Sequence, residues 1–469
     1  MKQKIIPSSI VWPFILLSTL FFAWAVPNNL TDAMLAAFKR IMSLSDSKTA
    51  WIQVVCYLLG YGFFAIPGAL FIKKYSYKNG VLMGLLLYSI GAIMFYPAML
   101  CLRFNAEVSF MMYLFAMFIL FAGLSVLETS TNSYVCVIGP ESTATQRLNF
   151  AQSFNPFGSI AGGVLSQVFV LSQLNTMTAH ERATLRPEEL TQIQGGELSA
   201  VSMTYVAIGF VMIALLLTIY FTKMPNLKEE GGKLDFAGTF RRLIKNKNYV
   251  WGVVAQFFYV GAQIAVWSFI IRYVMQRLDL DSVVASLGAN AGHDTIIATL
   301  RSIEPVAAGF YNFCEWIGLD AFLPRTAEQA GATYYIMSLV LFVIGRFSCT
   351  ALMRYFQPKT LLTTLSVLAV ICCFIAIYGH SFMGIYALMG ISGCMSLMFP
   401  TIYGMGINGL GDDTKIGGAG MIMAIAGAAV LTQIQGIVSD SFNIVVAYWI
   451  PAIAFIIITY YSIFVCKKI

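Results

Sequence analysis

Two carboxylates in this chain stand where carboxylates are costly. Glu128 lies in "FAGLSVLETSTNSY", residues 121–134, at the end of an apolar run that begins near Val108. Asp32 lies in "FFAWAVPNNLTDAMLAAF", where Trp24, Asn28 and Asp32 are spaced by four and Asn29 stands beside them. One helical face would thus carry an indole, amides and an acid. An ionisable group at the centre of a lipid-spanning helix costs roughly 2.5–3.5 kcal/mol on insertion scales. A carboxyl group in a low dielectric can bind and release a proton near neutral pH, so the chemistry on offer is proton coupling by Asp32 and Glu128. The alternative is a structural ion pair. Its candidates are Arg272 and Arg346, the basic residues inside apolar stretches, both near expected helix ends where they can snorkel.

Amides accompany the acids. Span four carries Ser125, Glu128, Thr131 and Asn132 at spacings of three and four. In "RLNFAQSFNPFGSIAGG", Asn149, Gln152, Asn155 and Ser159 form another stripe, and in "AQFFYVGAQIAVWSF" so do Gln256, Tyr259, Gln263 and Trp267. Such residues in membrane helices often tie one helix to another, at roughly 0.6 kcal/mol per bond. Four stripes with tryptophan and tyrosine interleaved are better explained by a hydrophilic cavity. Amides both donate and accept, and indole faces pack on C–H surfaces, which suits a neutral polyol such as a sugar. One proton moving down 100 mV supplies roughly 2.3 kcal/mol, enough for about fifty-fold accumulation of such a solute.

These residues need long helices to place them. The 469-residue chain is 58% hydrophobic and 11% charged, far below the roughly 25% charge of soluble domains, and its mean hydropathy is +0.76. Apolar runs near 10–38, 51–73, 80–103, 108–138, 148–174, 201–222, 248–276, 330–351, 359–379, 382–408, 415–439 and 443–466 predict twelve transmembrane helices. They lack the alternation of barrel strands, so an all-α membrane protein is expected. The basic start "MKQKIIPSSI" precedes a run longer than a signal-peptide core and is read as an uncleaved first helix. By count, roughly 19 of the lysines and arginines fall on the side of the N-terminus and about nine opposite, which places both termini in the cytoplasm.

Residues 1–222 and 248–469 read as two six-helix halves joined by a basic cytoplasmic linker, 223–247. "AGLSVLETSTNSYVCVIGPEST" in span four matches "SGCMSLMFPTIYGMGINGLGDDT" in span ten, with Gly123 and Gly139 against Gly393 and Gly409, and Glu128 against Met398. Such duplicated halves, related by an axis along the membrane normal, are a transporter arrangement with the solute held between them. An external insertion at about 278–329 is read as a tolerated loop, the alternative being short helices over the entrance. Arg147 and Lys415 are expected to anchor helix ends. Of the nine cysteines only Cys314 clearly lies in a loop, and no metal-ligand spacing or disulfide framework is visible. His180, His293 and His380 fall in loops, which argues against a histidine relay. No nucleophile–base constellation points to an enzyme, no soluble basic face points to nucleic acid, and no cofactor is implied.

The chain resembles the L-fucose–proton symporters of the major facilitator superfamily. "FFAWAVPNNLTD", "GLSVLETSTNSY", "GPESTATQRLNFAQSFNPFG", "AQFFYVGAQIAVWS" and "GLGDDTKIGGA" are similar to that family's blocks, in order, across nearly the whole length. The resemblance implies the major facilitator fold, with a Trp-x4-Asn-x2-Asp pattern on Trp24, Asn29 and Asp32 and a Leu-Glu-Thr motif on Leu127, Glu128 and Thr129. It implies that Asp32 and Glu128 couple the proton, and that Gln152 and Asn155 line the sugar cavity. Glucose/galactose carriers look similar but tend to carry glutamine where Glu128 stands, so a proton-driven L-fucose carrier is favoured over another hexose symporter or uniporter. "GALFIKKYSYKNG" lacks the superfamily's aspartate after span two, as in the fucose branch, and Pro27 stands where a small residue is expected. The reading is a monomeric carrier of the bacterial inner membrane, with Trp24, Asn29, Asn132, Gln152, Asn155, Gln256, Tyr259, Gln263 and Trp267 around the sugar.

Overall fold

The computed structural model describes residues 5–42, 52, 54–165, 169, 184–225, 236–279, 286, 298–299, 305–319, 327–380 and 382–465. The side chains of Asn29 and Asp32 lie outside the described residues, although the backbone there is helical. In chain order, α1 is Val11–Ile41, a π-helical stretch Val54–Phe63 leads into α2 (Phe64–Lys74), and α3 (Tyr77–Ile93) and α4 (Phe95–Cys101) come after it. Next come α5 (Ala106–Val137), α6 (Ala144–Gln152), α7 (Asn155–Leu165), α8 (Pro187–Phe221), α9 (Phe236–Lys245) and α10 (Lys247–Leu278). The remainder is α11 (Pro305–Trp316), α12 (Ala327–Leu352), α13 (Pro358–Tyr378), α14 (Phe382–Met395), α15 (Met398–Ile407), α16 (Thr414–Met423), α17 (Gly427–Ser441), α18 (Ile444–Ala447) and α19 (Trp449–Tyr460).

Eleven helical stretches among the described residues are long and apolar enough to cross a membrane. Their limits match the apolar runs closely, as in Lys247–Leu278 and Pro358–Tyr378. The remaining expected span, 148–174, is represented by α6 and α7, and most of its residues beyond Leu165 lie outside the described ones. Its amide stripe is not one continuous helix. Pro156 has no N–H to return to Gln152, and the chain takes a tight turn at Ser153 and Phe154, with Ser153 N bonding Phe150 O and Phe154 N bonding Ala151 O. Span six starts earlier than its apolar run, because "PEELTQIQGGELSA" extends α8 back to Pro187. That polar turn is used: Gln194 Nε2 donates to Ile41 O at 2.7 Å and satisfies a carbonyl at the C-terminus of α1.

The chain divides into two compact units. The first comprises 1–253 together with 403–426, and the second comprises 254–402 and 427–468. At the centre of the first unit, every residue of α5 from Leu120 to Cys136 is buried. Glycine makes that burial possible. A methyl group built on Gly84 of α3 would lie 2.6 Å from Leu127 N and 2.7 Å from Leu127 Cα, and one on Gly91 would lie 2.7 Å from Leu120 Cα. The two backbones therefore touch, as small-residue packing in membranes allows.

Helix ends are satisfied by basic side chains. Arg147, 0% exposed, donates Nε to Val135 O at 2.8 Å, Nη2 to Cys136 O at 2.6 Å and Nη1 to Thr143 Oγ1 at 3.0 Å, closing the end of α5. Lys78 Nζ donates to Tyr220 O and Thr222 O at the end of α8. Lys415 is buried over the ring of Tyr77, 5.3 Å from its centroid. Arg147 thus anchors a helix end as expected, whereas the contact seen for Lys415 is with an aromatic ring. Part of the linker is α9, held to the first unit by Arg242, whose Nε and Nη2 each donate to Asp413 at 2.7 Å.

Two expectations need correction. Arg346 does not snorkel: it sits within α12 at 3% exposure, its guanidinium 5.1 Å from the Phe342 ring centroid. Residues 305–316 of the insertion are not loop but α11, which buries Ala307, Tyr311 and Cys314 at helical spacing and bonds Tyr311 Oη to Thr333 Oγ1 at 3.1 Å. Proline at its first position and an apolar stripe are sufficient cause. Cys314 is therefore buried in a helix.

Candidate functional site

In the first unit, four elements bring polar side chains around Glu128. Burial of α5 on all sides carries the carboxylate into the interior, where Glu128 is 8% exposed. The π-helical stretch delivers Tyr61, whose hydroxyl hydrogen-bonds both the Glu128 carboxylate and the Asn28 side chain of α1. Glu128 Oε2 and Asn28 Oδ1 are buried and have no hydrogen-bond partner among the described residues. Ser125, one turn before Glu128, donates Oγ to Tyr61 O at 2.9 Å, so α5 holds both ends of that tyrosine.

A second series of bonds leaves the same turn of α5. Asn132 Nδ2 donates to Glu128 O at 3.0 Å, and Gln152 Nε2 of α6 donates to Asn132 Oδ1 at 2.7 Å. Asn155 Nδ2 donates to Phe21 O of α1 at 3.2 Å, and the Phe21 and Trp24 rings lie 4.5 Å apart. Trp24, Glu128, Asn132, Gln152 and Asn155 thus belong to one neighbourhood of interlinked helices. Gln152 and Asn155 bond from helix to helix, while Asn132 Nδ2 bonds within α5. The ion pairs among the described residues are Arg186–Glu189 and Arg242–Asp413, and Glu128 is in neither.

The second unit holds Gln256, Tyr259, Gln263 and Trp267 on α10. Tyr259 Oη donates to Met395 O at 3.0 Å and Trp267 Nε1 to Ser392 Oγ at 3.1 Å, so two of the four are tied to α14. Trp267 also meets Phe342 edge-on, at 5.2 Å. Gln256 is fully buried with neither amide atom partnered among the described residues, and Gln263 is half-buried. Gln435 of α17 shares that condition, 0% exposed with both amide atoms unpartnered. A buried amide without partners costs a few kcal/mol, which a polyhydroxylated solute would offset.

Sequence reasoning missed Tyr61 and Gln435. Gln435 had a visible signal in "LTQIQGIV", a glutamine pair inside an apolar run. Tyr61 had none, because a tyrosine in a membrane span reads as apolar. Among the described residues no group of His, Cys, Asp and Glu is arranged to hold a metal ion.

Comparison with known proteins gives the family. The profile of the Major Facilitator Superfamily matches residues 14–298. The L-fucose-proton symporter of Haemophilus influenzae is 34% identical over 98% of this chain and 98% of its own length. The L-fucose-proton symporter of Escherichia coli is 34% identical over 97% of this chain and 93% of its own. The crystal structure of the transporter FucP in the outward conformation superposes with a TM-score of 0.81 at 34% identity, covering 98% of this chain and all of that one. The chain carries no strand among its described residues and matches transporters rather than enzymes. It is a membrane transport protein of the Major Facilitator Superfamily, and within it belongs to the L-fucose–proton symporter family.

Proposed function

We propose that the protein imports L-fucose or a closely related monosaccharide together with a proton, by alternating access between two six-helix halves, 1–222 and 248–469. Asp32 and Glu128 carry the proton. Trp24, Asn29, Asn132, Gln152 and Asn155 in the first half and Gln256, Tyr259, Gln263 and Trp267 in the second bind and shape the sugar. The protein works as a monomer in the bacterial inner membrane with both termini in the cytoplasm, as the lysine and arginine bias indicates. The names of the relatives support the substrate.

One observation carries the reading. Glu128 is buried in the last third of α5, outside both ion pairs of the described residues, with one carboxylate oxygen lacking any partner among them. A permanently charged, unpaired carboxylate there would be prohibitively desolvated, whereas one that exchanges a proton meets the cost only while charged.

The test is a pH-electrode trace on energy-depleted cells expressing the protein and given a panel of sugars. L-fucose or a near relative should make the medium alkaline at once, as protons enter with the sugar. A flat trace across the panel, with the protein present in the membrane, would overturn symport.

A further inference from the structure

The buried carboxylate is met by a phenol, and the phenol has two bonds of unequal kind. Asn28 Oδ1 has no partner among the described residues, so what Asn28 brings to Tyr61 is its N–H. The Tyr61 oxygen accepts it and the Tyr61 O–H is donated onward to Glu128. Since Glu128 Oε2 is unpartnered, the oxygen that accepts is Oε1. The phenol is held for this: Tyr61 is 3% exposed, its ring lies 5.9 Å from Phe121 edge-on and 6.4 Å from Tyr57 in a stack, and Ser125 grips its carbonyl. Asn28 immediately succeeds Pro27 in α1 and precedes Asn29 and Asp32.

We infer that Tyr61 is the positioning residue of the proton step: it reserves Oε1 of Glu128 for the protein, leaves Oε2 as the atom that gains and loses the proton, and passes the change in charge to Asn28. A hydrogen bond to an ionised acceptor is roughly twice as strong as one to a neutral acceptor. While Glu128 is charged, Tyr61 is drawn to it and the Asn28 N–H moves with it. When a proton arrives on Oε2, the neutral carbonyl Oε1 pulls less and the hold on the segment after Pro27 loosens. The other titratable groups that act on this pair among the described residues are phenols too, Tyr403 with Glu128 and Tyr57 with Tyr61. Tyr403 is occupied with Ser133 Oγ at 2.9 Å.

This rests on the symporter reading of Glu128, and the experiment separates the two. Initial L-fucose uptake and L-fucose counterflow are measured in proteoliposomes across about pH 5 to 9 for wild type, Tyr61→Phe, Asn28→Ala and the control Tyr57→Phe. Removing a donor from the ionised carboxylate favours the protonated form, so the alkaline midpoint of net uptake should rise in Tyr61→Phe by about one pH unit. Counterflow, which needs no proton release, should stay within about twofold. Asn28→Ala should move the midpoint the same way by less, and Tyr57→Phe not at all. A Tyr61→Phe profile superimposed on wild type overturns the inference, as does a parallel fall of uptake and counterflow with an unmoved midpoint. If Tyr61→Phe does not reach the membrane, an unmoved midpoint in Asn28→Ala overturns it instead. A wild type with no sugar-evoked proton movement removes the symporter reading itself, and is seen before any variant is compared.

Discussion

Replacing Gly84 with alanine should displace Glu128 without touching it. The added methyl would stand 2.6 Å from Leu127 N, 2.7 Å from Leu127 Cα and 2.8 Å from Leu127 Cβ. Carbon–carbon contact is comfortable at about 3.5–4.0 Å, so α3 and α5 must part by about 1 Å at this level. The atoms in the way belong mainly to backbone, which cannot rotate aside. Gly91 against Leu120 makes a second such contact along the same pair of helices, so the separation cannot be absorbed by sliding. Overpacking of this kind costs about 1–3 kcal/mol. Glu128 is the next residue, and about 1 Å of misplacement at a reacting group lowers a rate by on the order of a hundredfold. Initial L-fucose uptake and the melting midpoint in detergent should both fall in Gly84→Ala. Gly62→Ala is the control, since its methyl would meet nothing nearer than Tyr57 O at 3.7 Å and should leave uptake within about twofold. If Gly84→Ala transports like wild type and melts at the same temperature, the contact between α3 and α5 does not set the position of the carboxylate.

Glu128→Gln keeps the shape and one acceptor for Tyr61 but cannot titrate. It should abolish the roughly fifty-fold accumulation that 100 mV supports, while sugar exchange across proteoliposomes persists; accumulation that survives would mean the proton is carried elsewhere. Arg147→Lys keeps the charge yet cannot serve Val135 O, Cys136 O and Thr143 Oγ1 together, so the melting midpoint in detergent should drop by roughly 5 °C or more, and an unchanged midpoint would deny the guanidinium its capping role. Cys314 is 3% exposed in α11, so a membrane-impermeant maleimide should label it much more slowly than a cysteine introduced at the exposed Glu315; equal rates would return this stretch to loop.

The spans were readable because lipid demands about 20 apolar residues in a row, and that demand leaves little freedom. Where α8 begins could not be read from hydropathy, since its first turns lie outside any apolar run; Pro187 at its first position and Glu188 and Glu189 in its first turn mark it instead. Trp24, Asn132, Gln152 and Asn155 could be picked out as polar residues in apolar surroundings; the structure bonds Gln152 to Asn132 of α5 and Asn155 to Phe21 of α1, whose ring meets Trp24. Tyr61 could not. Its part depends on a π-helical winding and on two partners, 33 residues before it and 67 after it in sequence, which local spacing does not reveal. Arg346 was misplaced because a position six residues from the end of α12 looks close to the interface in sequence, while packing against Phe342 keeps the guanidinium inside.

The membership of residues 403–426 in the first unit bears on how the protein is made. Ser133 bonds Tyr403, Lys415 covers Tyr77 and Asp413 receives Arg242, so the first unit lacks these partners until residue 415 of 469 has been synthesised. Ribosome and translocon must therefore deliver most of the polypeptide before these three contacts can form, and a nascent chain stopped at the end of α14 would present Ser133 and Tyr77 without their final neighbours. The first unit is thus completed by a long-range step, in which a segment near the end of the chain returns to helices near its beginning.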